Sequence, residues 1–135
     1  MIVTFDFDNT LTLTRATWDK EGFLEDEEYI GPNEKMIQYL KNAVSLGHKV
    51  LVVSSRRAEL LEDTKNKLKE FGILQLLNGV HHTNEEWKAD WCLENKVMTN
   101  KHFDDDKEEL KRFKLVMPET ETILVPLHPS WKGVD

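Results

Sequence analysis

The chain has 135 residues, 39% hydrophobic and 32% charged, with a net charge of -7. That length suits one domain over residues 1–135 with its own core and falls short of two, and no repeat or low-complexity segment points to a solenoid or to disorder. No run approaches the roughly 18 apolar residues of a membrane span and no leader pattern opens the chain, so the expectation is a cytoplasmic protein with no membrane partner, whose 25 acids against 18 bases repel nucleic acid unless a local cation intervenes.

Ile2 to Phe7 (IVTFDF) is β-branched and aromatic and reads as a first strand buried on both faces, ending near Asp8. Thr12 to Tyr29 is irregular, with Trp18 and Phe23 scattered among charges, and is expected to be a loop holding a short helix or hairpin. Such an insertion in a small domain is usually functional. Within it the acidic EDEE at 25–28 reads as a solvated face. Gly31, Pro32 and Asn33 announce a helix whose Met36, Ile37, Leu40, Ala43 and Val44 fall on one stripe, ended by Gly47. KVLVV at 49–53 is a buried strand, followed by SSRR and a second amphipathic helix carrying Leu60, Leu61, Thr64, Leu68 and Phe71, closed by Gly72.

ILQLLNGV suggests a further strand, and Thr83 with Glu86 offers a capping-box start to a helix over about 84–95, with Trp87 and Trp91 on one face. A short strand around Thr99 to Phe103 leads into a helix around 106–113, where Asp106 is the N-cap or first-turn acid. LVM and TILVPL are the last strand candidates, and the terminal LHPSWKGVD reads as a tail packed on the domain or at an interface.

This alternation predicts an α/β fold: a three-layer α/β/α, Rossmann-like arrangement around a mainly parallel sheet with right-handed crossovers. Ligands in such sheets bind beyond the carboxyl ends of the strands, where strand order reverses. Asp6 and Asp8 follow the first strand, Ser54, Ser55 and Arg56 the second, and Asp104, Asp105 and Asp106 the strand near residue 100. At least three carboxylates and two hydroxyls should therefore converge on one rim. Carboxylates so crowded repel one another, and protonation or a divalent cation removes that cost. An all-oxygen ligand set completed by a substrate phosphate suits Mg2+. Asp6 and Asp8, two apart in an extended segment, share a side, so one carboxylate can attack phosphorus while the other gives and takes a proton.

DFDNT, with Asp6, Asp8 and Thr10, resembles the D-x-D-x-T signature of the haloacid dehalogenase-like phosphohydrolases; VLVVSSR resembles their second motif and HFDDD their fourth, in that order over nearly the whole chain. The resemblance implies that Asp6 is a nucleophile and magnesium ligand, and that Asp8 is the general acid/base whose backbone carbonyl also meets the metal. Ser54 would hydrogen-bond the transferring phosphoryl group, with Thr10 and Ser55 at the substrate. Asp104, helped by Asp105, would complete the metal site. The family also requires a lysine that stabilises phosphoryl charge; Lys88 in EEWKADW holds that position, with Lys96 and Lys101 as competitors. Asn9 stands where the family often has Gly, a tolerable departure because Asn accepts unusual backbone angles. The second Asp favours phosphoryl chemistry over dehalogenation.

The implied activity is that of a phosphoric monoester hydrolase acting through an aspartyl-phosphate. The spacing of the motifs leaves no room for a cap domain, so the site should be open, accepting large substrates or relying on a partner for closure. VVSSR resembles the phosphatase half of the polynucleotide kinase-phosphatases, which makes Arg56, with Arg57 in reserve, a substrate-holding arginine and a nucleotide or nucleic-acid end a candidate substrate. The net acidity, however, supplies no broad basic stripe. His81 and His82, adjacent on a strand candidate, point to opposite sides and read as structural. Cys92, with no second cysteine to pair with, reads as a half-buried helix residue. The alternative is a non-catalytic domain of the same fold that binds a metal, a phosphorylated ligand or a protein partner, which would have no need of Asp8 as an acid.

Overall fold

A computed structural model describes residues 1–21 and 23–126 of the protein. Five short strands, β1 (Ile2–Phe5), β4 (Lys49–Ser54), β5 (Gly79–His82), β6 (Lys101–Asp104) and β7 (Glu121–Leu124), form one sheet in the order β5-β4-β1-β6-β7. Every pairing in it is parallel. From β1 the chain steps to β4 and β5 on one side, then returns past β1 to β6 and β7 on the other. Strand order therefore reverses between β1 and β6, and a ligand crevice belongs at their carboxyl ends.

The period-two alternation of the strands decides which helices they meet. Val3 and Phe5 of β1, with Val50 and Val52 of β4, pack on Met36, Ile37 and Leu40 of α1 (Glu34–Ser45) and Leu68 of α2 (Leu61–Glu70). Val53 packs in a second cluster with Ala89 and Cys92 of α3 (Lys88–Glu94), Phe113 of α4 (Lys107–Val116) and Met117. These clusters make the three layers expected from the sequence, a parallel sheet flanked by four helices in a Rossmann-like arrangement. Asn33 and Asp106 cap α1 and α4, accepting from the backbone N–H of Met36 and Glu108.

The structure departs from the sequence expectations in several places. The irregular stretch after β1 is an antiparallel hairpin, β2 (Thr12–Trp18) and β3 (Leu24–Pro32), forming its own two-stranded sheet. Its period was masked by charged residues and by register shifts near Leu13 and Thr17. β1 stops at Phe5 because the Phe7 carbonyl accepts from the N–H groups of Thr10, Leu11 and Thr12 in a turn that puts Asn9 at φ 59°. ILQLLNGV is not one strand: Leu74–Leu76 form a 3-10 turn before β5 begins at Gly79. The helix expected from residue 84 begins only at Lys88, because Asn84 and Glu85 are left-handed and Thr83 donates its hydroxyl to the Glu86 carbonyl at 2.7 Å instead of capping. Leu115 and Val116 of LVM end α4 rather than forming a strand. The expectations for the side chains of residues 26–28 and for the tail at 127–135 fall outside what is described. Among the described residues no helix is long and apolar enough to cross a membrane.

Candidate active site

At the strand-order switch the register sets Phe5 beside Phe103, and the Asp6 N–H donates to the Phe103 carbonyl at 2.9 Å, so β1 delivers Asp6 next to Asp104. Both are deeply buried, at 4% and 0% exposure. Between them lies Lys88, 2% exposed, whose Nζ donates to Asp6 Oδ1 at 2.8 Å and to Asp104 Oδ2 at 2.7 Å. A carboxylate oxygen each from Asp6, Asp104 and Asp105 lies within 4.8 Å of the others, close enough for the three to share a single metal ion. Asp6 and the Asp104–Asp105 pair, about a hundred positions apart in the chain, thus form one cluster. Lys88 is the lysine found there; Lys96 and Lys101 do not line this cavity.

Electrostatics divides the acids. Burial, then the negative charge of Asp104, pushes the Asp6 carboxyl well above the usual range, against the pull of Lys88. Asp105 is pushed up to about 6, chiefly by burial. Burial would also raise Asp104, but the Lys88 ammonium and a hydrogen bond from His102 outweigh it and hold that carboxyl well below the usual range. Lys88 resists its own burial because Asp6 and Asp104 keep it charged, above the usual lysine range. One ammonium thus serves several acids, a charge imbalance that a divalent cation would correct.

The remaining sequence-derived residues fall into two sets. Asp8 lines the cavity and accepts two hydrogen bonds from Arg56, from Nε at 2.8 Å and Nη2 at 2.7 Å. Arg56 is 3% exposed and stacks near the Phe7 ring, 5.2 Å from its centroid, so its guanidinium is directed at Asp8 while its edge reaches the cavity. Thr10 is fully buried and donates to Asp6 Oδ2 at 3.1 Å, beneath the nucleophile candidate. Ser54 ends β4 with its hydroxyl accepting from the Arg56 N–H, and Ser55 is the serine that lines the cavity. The loop carrying them is laced to the turn after β5 by Thr83, Asn84 and Glu85 N–H groups donating to the carbonyls of Ser54, Arg56 and Ser55.

Arg57 lies on the rim, paired with Glu59 and Glu85, with its guanidinium 4.2 Å from the Phe23 ring. His81 rests against Trp91, while His82 bonds the Arg57 carbonyl and the Thr64 hydroxyl, as expected of neighbours facing opposite sides. Cys92 is wholly buried, and burial pushes its thiol up to about 12. Asp106 caps α4.

Two residues escaped the sequence reading. Glu109, 5% exposed, accepts from the Lys88 N–H at 3.1 Å. His102 donates to Asp104 at 2.8 Å from within the core. His102 had a signal, since it precedes Asp104 by two in a strand and so shares its face. Glu109 had none beyond its place on a helix. The cavity over this cluster measures about 840 Å³, and Trp87, Arg57 and Lys107 stand along it.

No family model and no curated protein matches the sequence. Solved structures do match the fold. A chain of the Pnkp1/Rnl/Hen1 RNA repair complex aligns with a TM-score of 0.63 at 16% identity, over 91% of this chain and 41% of that one. The N-terminal part of a Bacteroides fragilis protein containing a phosphatase domain, complexed with Mg, aligns with a TM-score of 0.66 at 15% identity, over 96% of this chain and 37% of the other. A hypothetical protein from Xanthomonas campestris gives 0.54 at 20% identity, over 97% and 67%. The chain thus spans well under half of the first two. At such identities the likeness is one of architecture alone, the three-layer α/β/α, Rossmann-like fold.

Proposed function

We propose that the chain is a magnesium-dependent phosphatase that hydrolyses a phosphomonoester through an aspartyl-phosphate on Asp6. The observation that carries this reading is the buried bridge Asp6–Lys88–Asp104 at the strand-order switch, open to a cavity that Asp8 also lines. The donor set is hard oxygen throughout, which fits Mg2+. Asp6, Asp104 and Asp105 would hold the ion, together with the Asp8 carbonyl. Bound there, it would supply charge neutralisation for the phosphoryl oxygens.

In this reading an Asp6 carboxylate oxygen attacks phosphorus as the bond to the leaving oxygen breaks, and Asp8 gives that oxygen its proton. Asp8 then takes a proton from the water that attacks the same phosphorus, freeing inorganic phosphate and regenerating Asp6. Lys88, already within reach of Asp6, would stabilise phosphoryl charge, with the Ser55 hydroxyl at the cavity holding its oxygens and Ser54 bracing the Arg56 backbone behind it. Thr10 keeps the attacking carboxylate in one orientation. The open cavity and the fold likeness to a chain of an RNA repair complex favour a nucleotide or a nucleic-acid end as the substrate.

Hydrolysis of an aryl phosphate with and without magnesium tests the chemistry. Turnover should require the metal, and Asp6→Asn should lower kcat by at least about a thousandfold while the protein stays folded. A wild-type protein that releases no phosphate, or an unaffected Asp6→Asn variant, would overturn the reading. Among sugar phosphates, mononucleotides and 3'-phosphate oligonucleotides, a nucleotide-bearing substrate should show the highest kcat/KM; a preferred sugar phosphate would overturn the substrate class alone.

A further inference from the structure

We infer that His102, anchored by Thr4, is a positioning residue that holds Asp104 as a metal ligand independently of Lys88; this rests on the assignment of Asp104 to the magnesium site. The core between the sheet and α3 and α4 holds the apolar cluster of Val53, Ala89, Cys92, Phe113 and Met117, yet β1 and β6 bury Thr4 and His102 beside it, both at 0% exposure. Polar groups in such a place weaken the core unless each is bonded. Here they are. His102 Nε2 lies 2.8 Å from Asp104 Oδ2, and Thr4 Oγ1 lies 2.7 Å from His102 Nδ1. Thr99 Oγ1 packs 3.0 Å from Thr4 Oγ1 and donates to the Lys101 carbonyl. Because a carboxylate oxygen only accepts, Nε2 carries the hydrogen, and the Thr4 contact fixes the ring from its other side. The ring is further clamped on the Phe113 ring, with centroids 4.3 Å apart.

Asp104 is therefore gripped at three points: Oδ1 by the Asp106 N–H at 3.0 Å, and Oδ2 by both Lys88 and His102. Lys88 is shared with Asp6 and, in the proposed reaction, turns to the phosphoryl oxygens. His102 is not shared with any other acid of the cluster. It keeps the Asp104 carboxylate aimed when the lysine's attention moves, the role that outer partners of ligating groups play at metal sites.

The test compares His102→Gln, whose amide nitrogen reaches the Nε2 position, with His102→Met, which fills similar space without a donor. Magnesium binding to the full chain is measured by titration calorimetry, and the magnesium dependence of aryl phosphate hydrolysis alongside it. His102→Met should weaken magnesium binding about 10- to 100-fold. Its kcat at saturating magnesium should stay within about threefold of wild type, and His102→Gln should bind within about threefold as well. Wild-type magnesium affinity in a folded His102→Met variant, or a His102→Gln as weak as His102→Met, would overturn the inference. Should His102→Met fail to fold, Thr4→Val decides: it keeps the shape of the side chain and removes the anchor, so an unchanged magnesium affinity overturns the proposal and a several-fold loss supports it. A wild-type chain that binds no magnesium would instead overturn the metal site itself, and the role of His102 with it.

Discussion

In the proposed mechanism Asp8 gives a proton and then takes one back, so its carboxylate must be aimed at two reacting oxygens in turn, and Arg56 is the group that holds it. Two parallel hydrogen bonds from one planar guanidinium fix the plane of the carboxylate as well as its position. Lysine carries the same charge but has no fork, so it cannot reproduce that plane. Arg56→Lys should therefore lower kcat toward an aryl phosphate by about 10- to 100-fold, the scale on which small misplacements of a catalytic group act. The magnesium concentration for half-maximal rate should stay within about twofold, since the fork holds the side chain of Asp8, which in the proposed site meets the ion through its backbone carbonyl. A loss confined to KM would instead assign Arg56 to substrate binding, the role its motif suggests from sequence alone. Its place in the loop was legible from the motif; which group lay opposite depended on the fold.

Lys88 reaches Asp6 and Asp104 only because α3 is set down in one place, and a helix of seven residues has too few internal hydrogen bonds to fix itself. Ala89 and Cys92 hold it through the core, while two polar ties to α4 hold its flank. One is buried: Glu109 accepts from the Lys88 N–H, satisfying a donor that a helix start leaves without an internal partner. The other is half-exposed, a fork from Arg112 to Asp90 with side-chain exposures of 35% and 23%. They should differ in worth. Glu109→Ala strands a buried N–H and should cost about 1–3 kcal/mol in denaturant unfolding. Arg112→Met removes a solvent-screened pair and should cost distinctly less in the same unfolding measurement. Equal costs would mean that apolar contacts alone place the helix. The capping pattern at Thr83 misplaced the start of this element because two consecutive left-handed residues, Asn84 and Glu85, intervene, and neither is glycine.

Over the whole molecule, the parts legible in the sequence were those encoded locally: apolar runs ending in acids or hydroxyls, and the alternation of strand and helix that forces a parallel sheet. Asp6, Asp8, Ser54 and Asp104 could be assigned to one rim because each lies at or just beyond the carboxyl end of a strand. Bonds across the sheet or between loops, such as Arg56 to Asp8 and His102 to Asp104, depend on side-chain directions that periodicity leaves open, and the hairpin was hidden because its two strands are interrupted by register shifts. Net charge, in contrast, is fixed by composition, and it sets how a polyanion meets this site. At -7 the surface repels a nucleic acid strand, and the cations along the cavity are few, among them Arg57 and Lys107. Recognition of a nucleic-acid end would then be local. An oligonucleotide 3'-phosphate should be hydrolysed with a kcat/KM within about threefold of the matching mononucleotide, since added phosphates find repulsion rather than a basic track. Raising sodium chloride from about 50 to 200 mM should leave kcat/KM for the oligonucleotide unchanged or up to about threefold higher, because salt screens that repulsion. A protein that neutralised a run of phosphates would lose affinity by orders of magnitude over the same range. A tenfold or larger fall would therefore show an extended cationic path along the strand, and the acidic surface would no longer govern how the substrate approaches.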